Sequence, residues 1–168
     1  MRSGGPGVRM NHDSDEHFMA MALAEAEAGA AEGQTPFGAV VVNGAGEVVG
    51  SGHNRVRADR DPTAHGEMVA LRDAWRRLGT RERLAECTVY TSCEPCLMCS
   101  YVLTQFRLRR VVYAARGTDV PAYRPLLDAD LSAVAGWVGR QSDWSPIEVR
   151  GDLLRERAVA VLRAFDWG

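Results

Sequence analysis

No stretch of this 168-residue chain is apolar for the roughly 18 consecutive residues that a membrane-spanning helix needs. The first dozen residues, MRSGGPGVRMNH, lack the hydrophobic core of an export signal and read as a flexible tail over 1–13. A strong charge of either sign is also missing. The formal net charge of −2 argues against a broad polyanion-binding surface. The arginine groups at Arg76, Arg77, Arg81 and Arg83 and at Arg107, Arg109 and Arg110 read as solvated faces. Neither an internal repeat nor a linker interrupts the chain, so one domain over 14–168 is expected. Cysteine is scarce and confined: all four lie between Cys87 and Cys99, whereas a disulfide scaffold would spread them through the chain. That clustering favours metal in a reducing compartment, hence a cytoplasmic protein.

What is present divides into alternating elements. The patterns predict a helix over 14–31, capped by Ser14, with Asp15 and Glu16 in its first turn. Strands follow over 37–42 and 47–50, separated by the hairpin signal Asn43-Gly44-Ala45-Gly46. Asp61-Pro62-Thr63 reads as a helix entry, and Met68, Leu71, Trp75 and Leu78 recur at helical spacing until Gly79. A strand over 87–91, a helix opening at Pro95 and a strand over 110–115 come next. A last short strand over 147–149 and a closing helix over 152–165 complete the order. A hairpin followed by alternation implies an α/β fold, a three-layer α/β/α sandwich with a mixed five-stranded sheet.

The chemistry is concentrated in His65-Gly66-Glu67 and Pro95-Cys96-Leu97-Met98-Cys99. One imidazole and two thiolates, from His65, Cys96 and Cys99, make a three-ligand zinc site with an open fourth position, the arrangement of a catalytic metal. Cys96 and Cys99 share one helix face near an N-terminus, whose partial positive charge favours thiolates. Glu67, two residues past the histidine, is placed to carry protons in a hydrolysis. Other readings stand beside this one. A thioredoxin-like pair would use Cys96 and Cys99 alone. Cys93, Cys96 and Cys99 form a C-x2-C-x2-C run like that of iron–sulfur proteins, but no cysteine follows. A closed structural zinc would recruit Cys93 or Cys87.

The H-x-E and P-C-x-x-C spacing is similar to the signature of zinc nucleobase deaminases. Over roughly residues 15–120 the chain resembles the cytidine-deaminase-like superfamily. Thr35-Pro36-Phe37-Gly38-Ala39-Val40, Asp61-Pro62-Thr63-Ala64-His65 and Ser92-Cys93-Glu94-Pro95-Cys96 look most like bacterial guanine deaminases, and tRNA adenosine deaminases share much of the pattern. The resemblance implies Zn2+ as cofactor, a homodimer, and conversion of guanine to xanthine plus ammonia. It also implies that Asn54 hydrogen-bonds the base edge, that Phe37 lines the base pocket, and that an aspartate beyond the fourth strand, Asp119 or Asp128, shuttles protons. Alternatives are cytosine or a related heterocycle or nucleoside, adenosine in tRNA, and a zinc-binding module without catalysis; a small-molecule partner is favoured over nucleic acid by the net charge.

Two departures carry their own expectations. Gly66 stands where most of these relatives have alanine, resembling fungal cytosine deaminases, and is expected to let the backbone approach a bound ring. The segment from Val120 to Gly168 has no clear counterpart in guanine deaminases. Trp167 at its end is a potential lid over the pocket, with Asp143-Trp144 in the Gln141–Pro146 loop as a second one.

Overall fold

A computed structural model describes residues 12–121, 123, 131–140 and 147–168. Helix α1 (His12–Ala31) leads into a hairpin of β1 (Gly38–Val42) and β2 (Val48–His53). Then come α2 (Val56–Asp59), α3 (Gly66–Leu78), α4 (Arg81–Ala85), β3 (Thr88–Cys93), α5 (Leu97–Gln105) and β4 (Arg110–Ala115). A 3₁₀ turn (Gly117–Asp119), α6 (Leu131–Gly139), β5 (Glu148–Arg150) and α7 (Arg155–Ala164) complete the described elements. The strands form one five-stranded sheet in the order β2-β1-β3-β4-β5. β1 is antiparallel to β2 and β3, whereas β3–β4 and β4–β5 are parallel. The expected mixed sheet is thus observed: β1 is antiparallel to both its neighbours, and helices separate the parallel strands β3, β4 and β5 in the chain.

Alternation along each strand sends side chains to two apolar layers. Val40 and Val42, Tyr90, and Val112 and Ala114 pack against Phe18, Met19 and Leu23 of α1 and Ala158 and Leu162 of α7. Ala39 and Val41, Val89 and Val111 face the other way, onto Ala70, Leu71 and Ala74 of α3, Leu103 of α5 and Leu131 of α6. Helices therefore cover both faces.

Several boundaries differ from expectation for identifiable reasons. α1 already includes His12 and Asp13, so Ser14 is inside the helix and does not cap it. β2 continues to His53, because α3 lies so close that a Cβ on Gly50 would fall 2.3 Å from the Ala70 carbonyl oxygen. Glycine in this strand marks a close helix–sheet approach, not its end. Asp61-Pro62-Thr63 is not a helix entry. The Asp61 carboxylate accepts from the Thr63 backbone N–H at 2.8 Å and its hydroxyl at 2.7 Å, closing a turn. α3 then starts at Gly66, with His65 at its N-cap.

One buried charge cluster ties α1 to the sheet. Asp15, 2% exposed, accepts from Tyr90 Oη at 2.7 Å, from both Nη atoms of Arg110 at 2.7 and 2.9 Å, and from Arg150 Nη1 at 2.7 Å. Burial pushes the Asp15 carboxyl up, but the hydrogen bonds from Arg110 and Tyr90 outweigh it, so its pKa is below the ordinary 3.8. A carboxyl lowered on folding stabilises the protein above its ordinary pKa, and that stabilisation is lost as pH falls below it. Asp15→Asn leaves two arginines facing a neutral group. It is expected to cost about 3 kcal/mol or more of unfolding free energy at neutral pH, read by urea denaturation. A loss under about 0.5 kcal/mol would show that the cluster contributes nothing net.

Candidate metal centre

The loop after α2 and the loop after β3 each end at a helix N-terminus, and these two termini meet. His65 is the extended N-cap of α3 (φ −67°, ψ 156°) and Cys96 the extended N-cap of α5 (φ −63°, ψ 168°). Pro95 precedes α5 instead of opening it. Cys99 follows one turn into α5, on the face it shares with Cys96. The His65, Cys96 and Cys99 ligand atoms lie within 4.8 Å of one another. His65 Nδ1 is 3.5 Å from Cys96 Sγ and 3.7 Å from Cys99 Sγ. Tetrahedral zinc with ordinary Zn–N and Zn–S bonds requires an N···S separation of about 3.5 Å, so the three residues fit the ion.

Electrostatics match. The hydrogen bond from the Cys99 thiol, together with His65, holds Cys96 down to about 4, which favours its thiolate. The shared proton pushes Cys99 up. The Cys96 hydrogen bond raises the His65 pKa. Among the described residues no fourth protein ligand joins them. The Cys93 thiol points to the Arg116 carbonyl oxygen at 3.7 Å, and Cys87 sits in the core on the α3 side with its thiol 3.4 Å from the Arg83 carbonyl oxygen. All four cysteines are free. Both the closed-zinc and disulfide arrangements are therefore absent among them.

Glu67, in the first turn of α3, is 6% exposed, and burial pushes its carboxyl up to about 7. It opens with His65 and Cys96 onto a cavity of ≈ 350 Å³. Phe37, Asn54 and Trp167, named from the sequence, line the same cavity. Asn54 is buried; its backbone N–H donates to the Phe37 carbonyl at 2.8 Å and its Oδ1 accepts from Val56 N–H at 3.1 Å. Its amide NH2 is thereby the group available to a ligand. Trp167 donates its indole N–H to the Leu162 carbonyl at 2.9 Å and sits against Phe165 and Phe37, with ring centroids 5.2 and 6.1 Å away. It is both docked on the core and part of the cavity wall.

Two other residues named from the sequence have different surroundings. Gly66 does not line the cavity; a Cβ there would lie 2.7 Å from the Phe37 carbonyl oxygen, so glycine admits the start of β1 against α3 and not a bound ring. Asp119 is also absent from the cavity lining. Arg155 grips its carboxylate at 2.7 and 2.8 Å and holds its pKa down to about 2, while Arg116 N–H donates to it at 2.8 Å. Asp128, the Gln141–Pro146 loop and residues 1–11 of the tail lie outside the described residues. Sequence reasoning missed Val56, Arg57, Glu94 and Tyr123 as parts of the wall, which Thr35, Cys93, Gly117 and Val120 complete. Glu94 was legible within Cys93-Glu94-Pro95-Cys96; its carboxylate accepts from Gly117 N–H at 3.0 Å. Nothing in the local sequence marked the other three.

Fold and ligand set together define a zinc-binding α/β protein whose metal position opens onto a cavity beside a buried carboxyl group. Residues 12–115 match the cytidine and deoxycytidylate deaminase zinc-binding region, and the chain belongs to that family of zinc deaminases. It is 37% identical over 145 residues to a tRNA-specific adenosine deaminase of Aquifex aeolicus, covering 84% of this chain and 91% of that protein. It is 42% identical over 111 residues to the guanine deaminase of Bacillus subtilis, covering 66% of this chain and 68% of that one. A solved structure of a guanine deaminase from Nitrosomonas europaea matches with a TM-score of 0.76 at 29% identity, covering 98% of this chain and 94% of that chain.

Proposed function

We propose that this protein hydrolyses a free nucleobase, guanine, to xanthine and ammonia: water adds at C2, a C–O bond forms, and the C2–N bond breaks. The observation that carries this reading is Trp167. The C-terminal end of the chain forms part of the cavity wall and faces Phe37, which gives a small flat ring an aromatic enclosure instead of an open groove. The likeness to the N. europaea guanine deaminase covers 98% of this chain and supports the same reading.

Residue roles follow from position. His65, Cys96 and Cys99 would hold zinc, which when bound would supply the Lewis acidity that makes water nucleophilic near neutral pH. Glu67 accepts the proton of the attacking water, delivers a proton to the ring nitrogen beside C2, and protonates the departing amine. Asn54 donates its amide N–H to a ring acceptor and fixes the base in plane. Phe37 and Trp167 cover the ring and exclude water.

The second reading is deamination of adenosine in tRNA, favoured by the 37% identity to the A. aeolicus enzyme over most of both chains. Zinc-loaded protein is expected to release ammonia from guanine and to leave a tRNA anticodon stem-loop with a wobble adenosine unchanged. Turnover of the stem-loop without turnover of guanine would replace the first reading by the second.

A further inference from the structure

The cavity wall carries a cation that no part of this chemistry uses. Arg57 lies on the short α2 helix, three residues after Asn54, and is exposed where it lines the cavity, which places it at the mouth and away from the buried Glu67. Its guanidinium is steadied without being neutralised. Nη1 donates to the Gly33 carbonyl at 3.2 Å, and among the described residues no carboxylate pairs with it. Its neighbour Arg55, in contrast, is bonded to Asp59 at 2.9 Å and lies 3.8 Å from Glu32. The backbone beneath Arg57 is also fixed: the N–H groups of Arg57 and Ala58 both donate to Oε1 of the buried Gln34, at 3.2 and 3.4 Å.

Resting on the guanine reading, we infer that Arg57 is a specificity-determining residue that reads the O6/N7 edge of the base. With C2 turned toward the buried Glu67, the O6 and N7 acceptors would lie on another side of the purine, toward the mouth. Guanidinium is a planar fork of donors with no acceptor, and its bidentate match to O6 and N7 is the commonest specific contact by which DNA-binding proteins read guanine. The same fork opposes adenine, which presents an amine donor beside N7. Asn54 then donates from the wall and Arg57 from the mouth, so that a ring with acceptors at both places is held and one with a donor is rejected.

The test compares guanine with 2-aminopurine, which keeps the C2 amine but lacks O6, in zinc-loaded parent and Arg57→Gln protein. The ratio of the two kcat/KM values cancels the intrinsic reactivity difference between the rings. Arg57→Gln is expected to lower the guanine preference by roughly 5- to 150-fold, chiefly through KM for guanine. Arg57→Lys, which keeps the charge but loses the fork, is expected to restore only part of it. Zinc content and melting temperature of the variants confirm that the fold is intact, and displacement of fluorescent 2-aminopurine by guanine gives the same comparison as binding. An unchanged ratio in both variants, with guanine still turned over, overturns the role of Arg57 alone. Absence of guanine turnover in the parent overturns the substrate reading and this inference with it.

Discussion

Replacing Glu67 by glutamine is expected to lower ammonia release from guanine by about 10²- to 10⁴-fold while one zinc per chain is retained. Glutamine has nearly the shape of glutamate but neither accepts nor delivers a proton at neutral pH, so the substitution removes proton transfer and little else. Position argues for so large an effect. Glu67 sits two residues from His65 in the first turn of α3, buried, facing the cavity that His65 and Cys96 also line. No other buried carboxylate of the described residues lines that cavity: Glu94 is partly exposed and engaged by Gly117 N–H, and Asp119 is gripped by Arg155. Retention of zinc follows because the ligand set is His65, Cys96 and Cys99 without Glu67. Elemental analysis beside an ammonia assay separates the outcomes. Loss of zinc together with activity would make Glu67 a structural support, and a variant as fast as the parent would remove it from the chemistry. A parent protein that binds zinc but releases no ammonia from any heterocycle would favour a non-catalytic zinc module.

The residues legible in the sequence are those whose identity the chemistry itself dictates. A tetrahedral zinc site demands nitrogen and sulfur donors, and two donors on one helix face demand a spacing of three or four, so His65, Cys96 and Cys99 announce themselves. The sheet was legible for a similar reason, since β1 and β3 carry apolar residues on both faces and the Asn43–Gly46 turn joins β1 to β2. What was not legible depends on contacts between distant segments. Gly66 is small because of Phe37, the residue that leads into β1, and no local pattern distinguishes that from room for a ligand. Asp119 looks like a loop carboxylate near the site until Arg155, 36 positions later, claims it. β2 outruns its predicted end because its glycines receive α3, where local propensity reads them as a turn. Arg57 is the plainest case: an arginine in an Arg-rich stretch, given meaning only by the cavity it borders.

Cys99→Ser is expected to abolish both zinc retention and turnover, and the loss of metal should precede any loss of fold. Serine preserves the volume but supplies a neutral hydroxyl where zinc requires a thiolate. Two protein ligands then remain, and affinity should fall by more than the roughly 10- to 100-fold that removing a mere supporting partner costs. Cys99 is the more telling of the two cysteines. It is fully buried, its thiol hydrogen-bonds to Cys96, and that bond is the leading cause of the low Cys96 pKa. Its removal therefore deletes one ligand and makes the second less anionic. The core at this point does not depend on the sulfur, since Leu103 and Ser100 of the same helix are buried independently and Ser100 Oγ donates to the Pro95 carbonyl at 3.0 Å. Circular dichroism is thus expected to report a folded, zinc-poor protein. Cys87→Ala is the matching control, because that sulfur lies in the core away from the ligand set; it is expected to keep zinc and lose only some stability. If Cys99→Ser kept its zinc and its activity, the ligand assignment would be wrong, and Cys93, which lines the cavity with Cys96, would be the residue to examine in its place.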